Sequence, residues 1–346
     1  MDEFSFIDYL KKKIPRSGRV SVRIGDDAAV LRVSKDKQIV VSTDVIVENV
    51  DFVLFNKGNR HHYRVMRPVP FIPPEQVGRK ALAVNLSDMA AMGALPTAFV
   101  ISIGKPSYIS STWLKRFYDG LLALAKQYHV ACIGGDFSSA KELFASVTIL
   151  GEVPMNQAVT RSGAREGDWI AVTGALGGSL RRHHHDFTPR VREGLFLSGK
   201  FMPTAMIDIS DGLVQDLGHL LKASCVGAVL ELDKTPVSKD AKKMARAVIL
   251  RSVAKKNLKP GSLAFCEAQD DEALQRALSD GEDFELLFTV PQWQKVMLEK
   301  SWKKHFSKVP LTWIGKIEGR VPRISWRRNG RKVAAPRLAQ KGFSHF

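Results

Sequence analysis

The sequence predicts a two-domain α+β protein, and three observations support this fold class. The chain has 346 residues, a length that suits about two domains of ordinary size. Short runs rich in Val and Ile alternate with amphipathic helical segments, and a polar loop lies near the middle of the chain. Hydrophobic residues make up 45% of the chain and charged residues 25%, which is typical of a globular protein that buries a core without disulfides.

The first half of the chain predicts the order β-β-β-α-β-α-β-β. Three strand-like runs come first, RVSVRI, AVLRV and QIVVSTDVIV. Residues 75–93 predict a helix that ends at Gly93 and Pro96. The strand AFVISIG, the amphipathic helix WLKRFYDGLLALAKQYH and the strands ACIGGD and ASVTILGEV follow. Such an order predicts a sheet that helices cover on one face.

The polar stretch PMNQAVTRSGAREGD predicts a domain boundary, with one domain at 1–153 and the other at 154–346. DWIAVTGAL begins the second α+β domain, AMIDISDGLVQDLGHLLKAS predicts a strand that leads into a helix, and EDFELLFTV predicts a strand. A basic, proline-rich segment at about 53–74 predicts a long insertion without regular structure in the first domain.

Cysteine usage predicts a reducing compartment. Cys132, Cys225 and Cys266 are scattered and form no CxxC pair, which argues against a disulfide framework or a structural zinc site. The segment MDEFSFIDYLKKK has no apolar core of a signal peptide, and no apolar run approaches the ~20 residues that span a bilayer. We therefore expect a cytoplasmic protein.

The net charge of +17 leaves two interpretations open. It suits a nucleic-acid binder, and it equally suits an enzyme whose substrates carry phosphates. Part of the excess lies in SWRRNGRK, where Asn329-Gly330 predicts a tight hairpin that spaces the charges along a ribbon. This ribbon is either a solvated basic face or a surface for polyanions.

Acidic residues recur where apolar runs end, each beside Gly, Ser or Thr. The six corners are GDD (Asp26, Asp27), STD (Ser42, Thr43, Asp44), NLSD (Asn85, Asp88), GGD (Asp136), DISDG (Asp208, Ser210, Asp211) and GED (Glu282, Asp283). Each alone is typical of a turn or a helix cap. Together they predict a carboxylate cluster that needs cations, and oxygen ligands without His or Cys favour Mg²⁺. Mg²⁺ binds phosphate oxygens, so a nucleotide is the expected guest.

The common nucleotide-binding motifs are absent. There is no GxxxxGK[ST] loop, no GxGxxG after a strand and no kinase HRD or DFG motif, and GALGGS lacks the lysine of a phosphate-binding loop. A GxSxG elbow and a plausible cysteine nucleophile are also absent. The acids themselves are therefore the predicted machinery.

Several stretches together resemble the thiamine-monophosphate kinase family, within the superfamily of ATP-binding proteins similar to aminoimidazole-ribonucleotide synthetase. They are IGDDAAVL, STDVIVENVDF, KALAVNLSDMAAMGA, IGGD, GEV, TRSGAREGDWIAVTG, IDISDGLVQDLGH, GEDFELLFTV and KGFSHF, in order along nearly the whole chain. The resemblance implies ATP-dependent phosphorylation of thiamine monophosphate to thiamine diphosphate. It also implies a homodimer whose N-terminal domains pair into a barrel, and an ATP cleft reached by both domains.

The resemblance assigns roles to individual residues. The implied Mg²⁺ ligands are Asp27, Ser42, Thr43, Asp44, Asp88, Asp136, Asp208 and Asp211. Gly135, Arg161 and Ser210 are the implied ATP contacts, and Glu282 and Phe343 the implied contacts to the thiamine end. Asp26 supports the turn or joins the metal shell. Where the family has VHF, with a substrate-contacting His, this chain has Val50-Asp51-Phe52, so Asp51 is a further candidate for a substrate contact. We hypothesise that Arg60, His61, His62 and Arg64 of the insertion replace that contact.

The chemistry needs no protein nucleophile. The second pKa of a phosphate monoester is ~6, so the acceptor is already mostly dianionic at neutral pH. Positioning and charge neutralisation then suffice for direct in-line transfer, with Arg161 as a fixed positive charge. The alternatives are a sister enzyme of the same superfamily that acts on another small substrate, and a non-catalytic polyanion-binding relative. The acidic corners argue against a nucleic-acid partner despite the net charge of +17, because they would repel a nucleic-acid backbone.

Overall fold

The computed structural model describes residues 3–14, 17–54, 72–179, 183–251 and 262–336. The chain forms two compact units. The first unit comprises Phe4–Ala158 and His184–Leu195, and the second comprises Met1–Glu3, Val159–His183 and Phe196–Phe346. In the described ranges, no helix combines the length and apolarity that crossing a membrane requires.

The first unit holds a six-stranded sheet and two long helices. Its elements are α1 (Glu3–Lys13), β1 (Val20–Val22), β2 (Ala29–Arg32), β3 (Lys37–Val47), α2 (Pro74–Ala91), β4 (Leu95–Lys105), α3 (Ser111–Tyr128), β5 (Ala131–Ser139) and β6 (Phe144–Pro154). After α1 this is the predicted order β-β-β-α-β-α-β-β. The strands lie in the order β1-β2-β3-β6-β4-β5, and β4 and β5 are parallel whereas the other neighbours are antiparallel.

Helices cover one face of this sheet, as predicted. Helix α2 contacts α3, β3 and β6. The two helices approach closely at two glycines, since a Cβ on Gly78 would lie 1.9 Å from the carbonyl oxygen of Phe117. A Cβ on Gly120 would lie 1.9 Å from that of Glu75. Leu82, Leu86 and Met89 of α2 are fully buried. Lys80, Asn85 and Ser87 are buried as well, because both the sheet and α3 pack on α2.

Strand β5 forms an open edge of the sheet. All nine of its residues are exposed, and the side chains of Ile133 and Phe137 are 59% and 56% exposed. Only β4 pairs with it among the described strands. An exposed edge with apolar side chains is a surface on which another strand or chain can pair.

The second unit is built on a seven-stranded sheet. Its elements, with the two helices where the chain passes between the units, are β7 (Trp169–Thr173), α4 (His183–Asp186), α5 (Val191–Lys200), β8 (Ala205–Asp208), α6 (Leu213–Ser224), β9 (Ala228–Glu231), α7 (Lys239–Arg251), α8 (Leu263–Ser279), β10 (Leu286–Val290), α9 (Lys295–His305), β11 (Leu311–Ile317), β12 (Ile324–Arg328) and β13 (Arg331–Val333). The strand order is β13-β12-β9-β11-β7-β10-β8.

The core of the second unit lies on one face of its sheet. Ile170 and Val172 of β7 pack there with Leu217 and Leu221 of α6 and Leu278 of α8. At the far edge β12 and β13 form the predicted hairpin. Asn329 and Gly330 have φ of 49° and 72°, the left-handed values that this turn requires.

Several sequence predictions fall on residues that the structure does not describe. Residues 55–71 cover most of the insertion, including Arg60, His61, His62 and Arg64, and residues 337–346 include Phe343. These predictions lie outside the described residues and stay predictions.

Candidate active site

Three distant stretches of the first unit meet at Ser42. Its hydroxyl lies on β3 and donates a hydrogen bond of 2.5 Å to Oδ2 of Asp88 on α2. The same oxygen lies 3.1 Å from the carbonyl oxygen of Asp27, just before β2. A carboxylate oxygen of Asp27 lies within 4.8 Å of one of Asp88. The fold therefore gathers two acids and a hydroxyl, which we call the Ser42 corner.

The two acids of the doublet at this corner have different contacts. The backbone N–H of Asp27 donates to Oδ1 of Asp26 over 3.1 Å, so Asp26 shapes the turn. Asp27 is only 7% exposed and belongs to the corner. Asn85, although three residues from Asp88 on the same helix, donates its amide to the carbonyl of Ala81 and is fully buried. That amide contact lies within α2 itself.

The implied metal ligands of the first unit fall on both faces of its sheet. Because side chains alternate along a strand, Ser42 and Asp44 share the face covered by helices, and Thr43 points to the open face. There the hydroxyl of Thr43 donates to the carbonyl of Val147 and accepts from Thr148. The structure brings Asp27, Ser42 and Asp88 together, with Asp44 on the same face, but it places Thr43 elsewhere.

Gly135 and Asp136 also lie away from the Ser42 corner. They are on β5, and β6 and β4 lie between that strand and β3. At a spacing of about 4.8 Å per strand, this is roughly 14 Å across the sheet. A Cβ on Gly135 would lie 2.0 Å from the carbonyl oxygen of Ile101, so strand pairing alone already requires glycine there.

The second unit holds its own acidic corner at the start of α6. Oδ2 of Asp216 accepts hydrogen bonds from the backbone N–H groups of Asp211 (3.1 Å) and Gly212 (3.0 Å). The side-chain amide of Gln215 donates to Oδ2 of Asp211 over 3.0 Å. Ligand atoms of Asp211, Asp216 and His219 all lie within 4.8 Å of one another. Asp216 thus fixes the loop that carries the implied ligand Asp211, three residues after Asp208 at the end of β8.

Charge is concentrated at this corner. Burial raises the pKa of Asp216 well above its ordinary value, the nearby charges of Asp211 and Asp208 raise it further, and the guanidinium of Arg161 opposes them. Arg161 therefore lies within the field of these carboxylates. Its loop is fixed by Ser224, whose hydroxyl donates to the carbonyl of Arg161 and accepts from the N–H of Gly163.

The implied substrate contact Glu282 lies beside Ser210. The N–H of Glu282 donates to the carbonyl of Ser210 over 2.6 Å, and the N–H of Phe284 donates to the carbonyl of Ile209 over 2.8 Å. Glu282 and Phe284 have φ of 55° and 49°, which L-residues seldom adopt. Backbone strain of this kind is common where a loop must present a side chain.

The backbone N–H groups of the glycine loop GALGGS bind carboxylates of the same unit. The N–H of Gly177 lies 2.9 and 3.0 Å from the two carboxylate oxygens of Asp283, and the N–H of Gly178 donates to Asp280 over 2.9 Å. Burial is the main cause that raises the pKa of Asp283 well above its ordinary value. These amides are occupied by the protein itself, in agreement with the missing lysine of a phosphate-binding loop.

Asp51 closes the turn after β3. Its Oδ2 accepts from the N–H of Val47 over 2.7 Å, and its carbonyl accepts from the ammonium of Lys80 over 3.1 Å. Lys80 is only 1% exposed and was not singled out from the sequence, because nothing in a helical pattern marks a lysine as buried. Asp216 was also missed, although an acid in the first turn of a helix after Asp-Gly is a recognisable signal of a cap.

Comparison with known proteins places the chain in a family. Residues 25–153 match the family model described as AIR synthase related protein, N-terminal domain. The thiamine-monophosphate kinase of Salmonella typhimurium (strain LT2) is 34% identical over 99% of this chain and 98% of its own length. That of Rhodopirellula baltica is 37% identical over 92% of this chain and 90% of its own.

Solved structures agree with these matches. The thiamine-monophosphate kinase from Stenotrophomonas maltophilia K279a is 32% identical, with a TM-score of 0.65 over 96% of this chain and 98% of that chain. The complex of AaThiL with AMPPCP and TMP is 28% identical, with a TM-score of 0.71 over 100% of this chain and 97% of that chain. With relatives above 30% identity matching along nearly their full length, the chain belongs to the thiamine-monophosphate kinase family.

Proposed function

We propose that this protein transfers the terminal phosphoryl group of ATP to the phosphate of thiamine monophosphate, which yields thiamine diphosphate and ADP. The observation that carries the proposal is the Ser42 corner, where a hydroxyl and two carboxylates from distant segments meet in a chain of this family. The AaThiL structure, a solved relative, carries AMPPCP and TMP together, an ATP analogue with the proposed acceptor.

We propose Mg²⁺ as the cation that this chemistry requires. The donors are all oxygens: Asp27, Ser42, Asp44 and Asp88 in the first unit, and Asp208 and Asp211 in the second. Two carboxylates within 4.8 Å repel each other, and the donors of the Ser42 corner are hard oxygens without nitrogen or sulfur, which suit Mg²⁺. When bound, Mg²⁺ neutralises phosphate charge as the two anions approach. Thr43 and Asp136 stay predicted ligands, although they lie away from the Ser42 corner.

The remaining roles follow from charge. Arg161 supplies a fixed positive charge for the triphosphate beside the carboxylates of the second unit. An oxygen of the acceptor phosphate attacks the terminal phosphorus of ATP in line. The bond from that phosphorus to the bridging oxygen breaks, and ADP leaves. The acceptor is already dianionic near neutral pH, so no side chain needs to remove a proton.

Glu282 and Ser210 are proposed to hold the two substrates next to each other. The backbone hydrogen bond between them joins the implied nucleotide contact to the implied thiamine contact. The carboxylate of Glu282 complements the cationic thiazolium ring of thiamine. Asp51 uses one carboxylate oxygen in a turn, and Phe343 lies outside the described residues, so their substrate contacts stay predictions.

We also propose that the protein is a homodimer that pairs through the open edge of the first unit. This edge has nine exposed residues, including the apolar Ile133 and Phe137. Contact with a partner chain would remove these apolar side chains from water. Phe137→Glu should then yield monomers in sedimentation velocity, whereas Val321→Glu, an equally exposed site in the second unit, should leave a dimer. A monomeric wild-type protein would overturn this part of the proposal.

The three exposed free cysteines, Cys132, Cys225 and Cys266, support the cytoplasm as the place of action.

The central test is ADP release from Mg-ATP with and without thiamine monophosphate. We expect release that depends on the acceptor, and a loss on the order of 100-fold in Asp44→Asn. Asp119→Asn, the same change at an exposed position of α3, is the matched control and should keep wild-type turnover. Absence of acceptor-dependent release would refute the kinase assignment. A fully active Asp44→Asn variant would keep the activity and refute the metal assignment.

A further inference from the structure

Two lysines and two tryptophans meet on the second unit in an arrangement that phosphoryl transfer does not use. Trp169 begins β7, and Lys316 lies directly opposite it on β11. The ammonium of Lys295, at the start of α9, lies 3.6 Å from the ring centroid of Trp169, and that of Lys316 lies 4.4 Å from it. The ring of Trp313 lies 6.1 Å from Trp169 and 5.4 Å from the Lys295 ammonium. We call these four residues the Trp169 cluster.

The Trp169 cluster brings positive charges together without a carboxylate. Across the described part of the chain, neither Lys295 nor Lys316 forms an ion pair, even though Glu299 lies one turn further along α9. The beginning of α9 adds the partial positive charge of a helix N-terminus. The face of Trp169 attracts the ammonium groups, but an aromatic ring carries no net charge to cancel theirs.

The cluster also contains a hydrogen-bond donor in need of an acceptor. Nε1 of Trp313 is buried, and within the described ranges it has no hydrogen-bond partner. Buried indole N–H groups normally have an acceptor. Two ammonium groups and an indole N–H are all donors, so the missing component is an acceptor that carries negative charge.

The position of the cluster separates it from the acidic corner of the same unit. Along β10, Trp169 pairs with Val290, whereas Asp208 pairs with Leu286. Four residues of a strand span about 13 Å, so the two groups lie towards opposite ends of the sheet. Trp169 also points away from the face of Ile170 and Val172, which the core occupies.

We propose that Lys295 and Lys316 form a binding site for a phosphate-type oxyanion at the Trp169 cluster. A phosphate group accepts charge-assisted hydrogen bonds from ammonium groups and neutralises both. Exposed apolar side chains border the site, since Trp293, Val296 and Met297 are 73%, 59% and 49% exposed. The phosphate therefore comes either from a free phosphate compound or from the headgroup of an anionic lipid whose chains contact this border.

The test uses the full chain labelled with 5-fluorotryptophan and titrated with inorganic phosphate at constant ionic strength. Trp169→Phe and Trp313→Phe assign the two ¹⁹F resonances, which report on this site and not on the catalytic carboxylates. We expect saturable shifts of both signals. In the double variant Lys295→Gln/Lys316→Gln the affinity for phosphate should fall about tenfold or more. Lys303→Gln/Lys304→Gln removes the same charge from the exposed end of α9 and should bind as the wild type does.

A second arm identifies the source of the phosphate. Vesicles that contain phosphatidylserine should retain the wild type and the Lys303/Lys304 control, but not the Lys295/Lys316 variant, if a lipid headgroup is the ligand. Vesicles of phosphatidylcholine serve as the neutral reference. A response in either arm that the Lys295/Lys316 variant loses supports the site and names its source. No response in both arms, or equal responses in the two double variants, refutes it, whatever the outcome of the kinase assay.

Discussion

The two units hold their carboxylates in different ways. In the first unit, Asp88 accepts a hydroxyl hydrogen bond from Ser42 and lies within reach of a second acid, Asp27. In the second unit, Asp216, Asp280 and Asp283 accept backbone N–H groups from loops that they hold in place. Carboxylates that bind backbone amides have a structural task without any ligand. Acids that face each other across a hydroxyl gain most from a cation, so the comparison separates structural acids from proposed metal ligands.

Asp88→Asn tests whether Asp88 is a metal ligand, and it should have the largest effect on activity. We expect turnover to fall on the order of 100-fold or more, because a charged donor to the proposed metal is lost while the Ser42 hydrogen bond can persist. The free energy of unfolding in EDTA should stay equal or rise, because the repulsion with Asp27 is relieved. Coupled ADP assays and urea denaturation measure the two effects. Unchanged turnover would place Asp88 with the structural acids.

Gly177→Ala tests the structural role of Asp283, because it distorts the loop whose N–H group binds that carboxylate. The added Cβ would lie 2.5 Å from the backbone nitrogen of Ala277, and φ at Gly177 is +83°. We expect a loss of about 2–4 kcal/mol of unfolding free energy from strain and displacement of the loop that binds Asp283. Gly218→Ala is the matched control. Gly218 lies in α6, and a Cβ added there would meet no atom within 4 Å, so alanine should add about 0.5–1 kcal/mol. Equal effects of the two changes in urea denaturation would refute this interpretation.

Asp283→Asn should change how the free energy of unfolding depends on pH. The raised pKa means that the folded protein holds the proton more tightly than the unfolded chain, so the wild type loses stability as pH rises from ~4 towards the folded pKa. The slope is at most about 1.4 kcal/mol per pH unit for one group. Asparagine does not titrate and can still accept from Gly177. In urea denaturation, the free energy of unfolding of the variant should therefore rise relative to that of the wild type between pH 4 and 7. Parallel curves for the variant and the wild type would contradict the assignment.

Local sequence patterns predicted the elements but not the neighbours of each acid. The helix over 75–93, the Asn329-Gly330 hairpin and the strand before Asp208 follow from periodicity and turn chemistry. The contact of Ser42 with Asp88 depends on how β3 packs against α2, which no local pattern encodes. Thr43 shows the same limit, because the STD motif suggests one unit whereas strand alternation divides it between two faces.

Some features were beyond sequence reasoning because they depend on burial. Lys80 has an ordinary place in a helical pattern, yet the packing of the sheet and α3 on α2 encloses it. Asp283 belongs to the GED motif beside a substrate contact, but its oxygens bind the glycine loop 106 residues earlier in the chain. Lys295 and Trp169 are also far apart in sequence, and only the packing of α9 on the sheet brings them into contact.

The open edge at β5 has a consequence for handling the protein. Among the described strands only β4 pairs with β5, so its nine exposed residues form a template for non-native strand addition during dilution, refolding or heterologous expression. If the proposed dimer covers this edge, aggregation that starts there depends on how fast two correctly folded chains pair, and the pairing rate rises with their concentration. The yield of dispersed protein should therefore respond to a slower dilution series and to the substitution Ile133→Lys. Both should change this yield far more than they change the melting temperature of either unit.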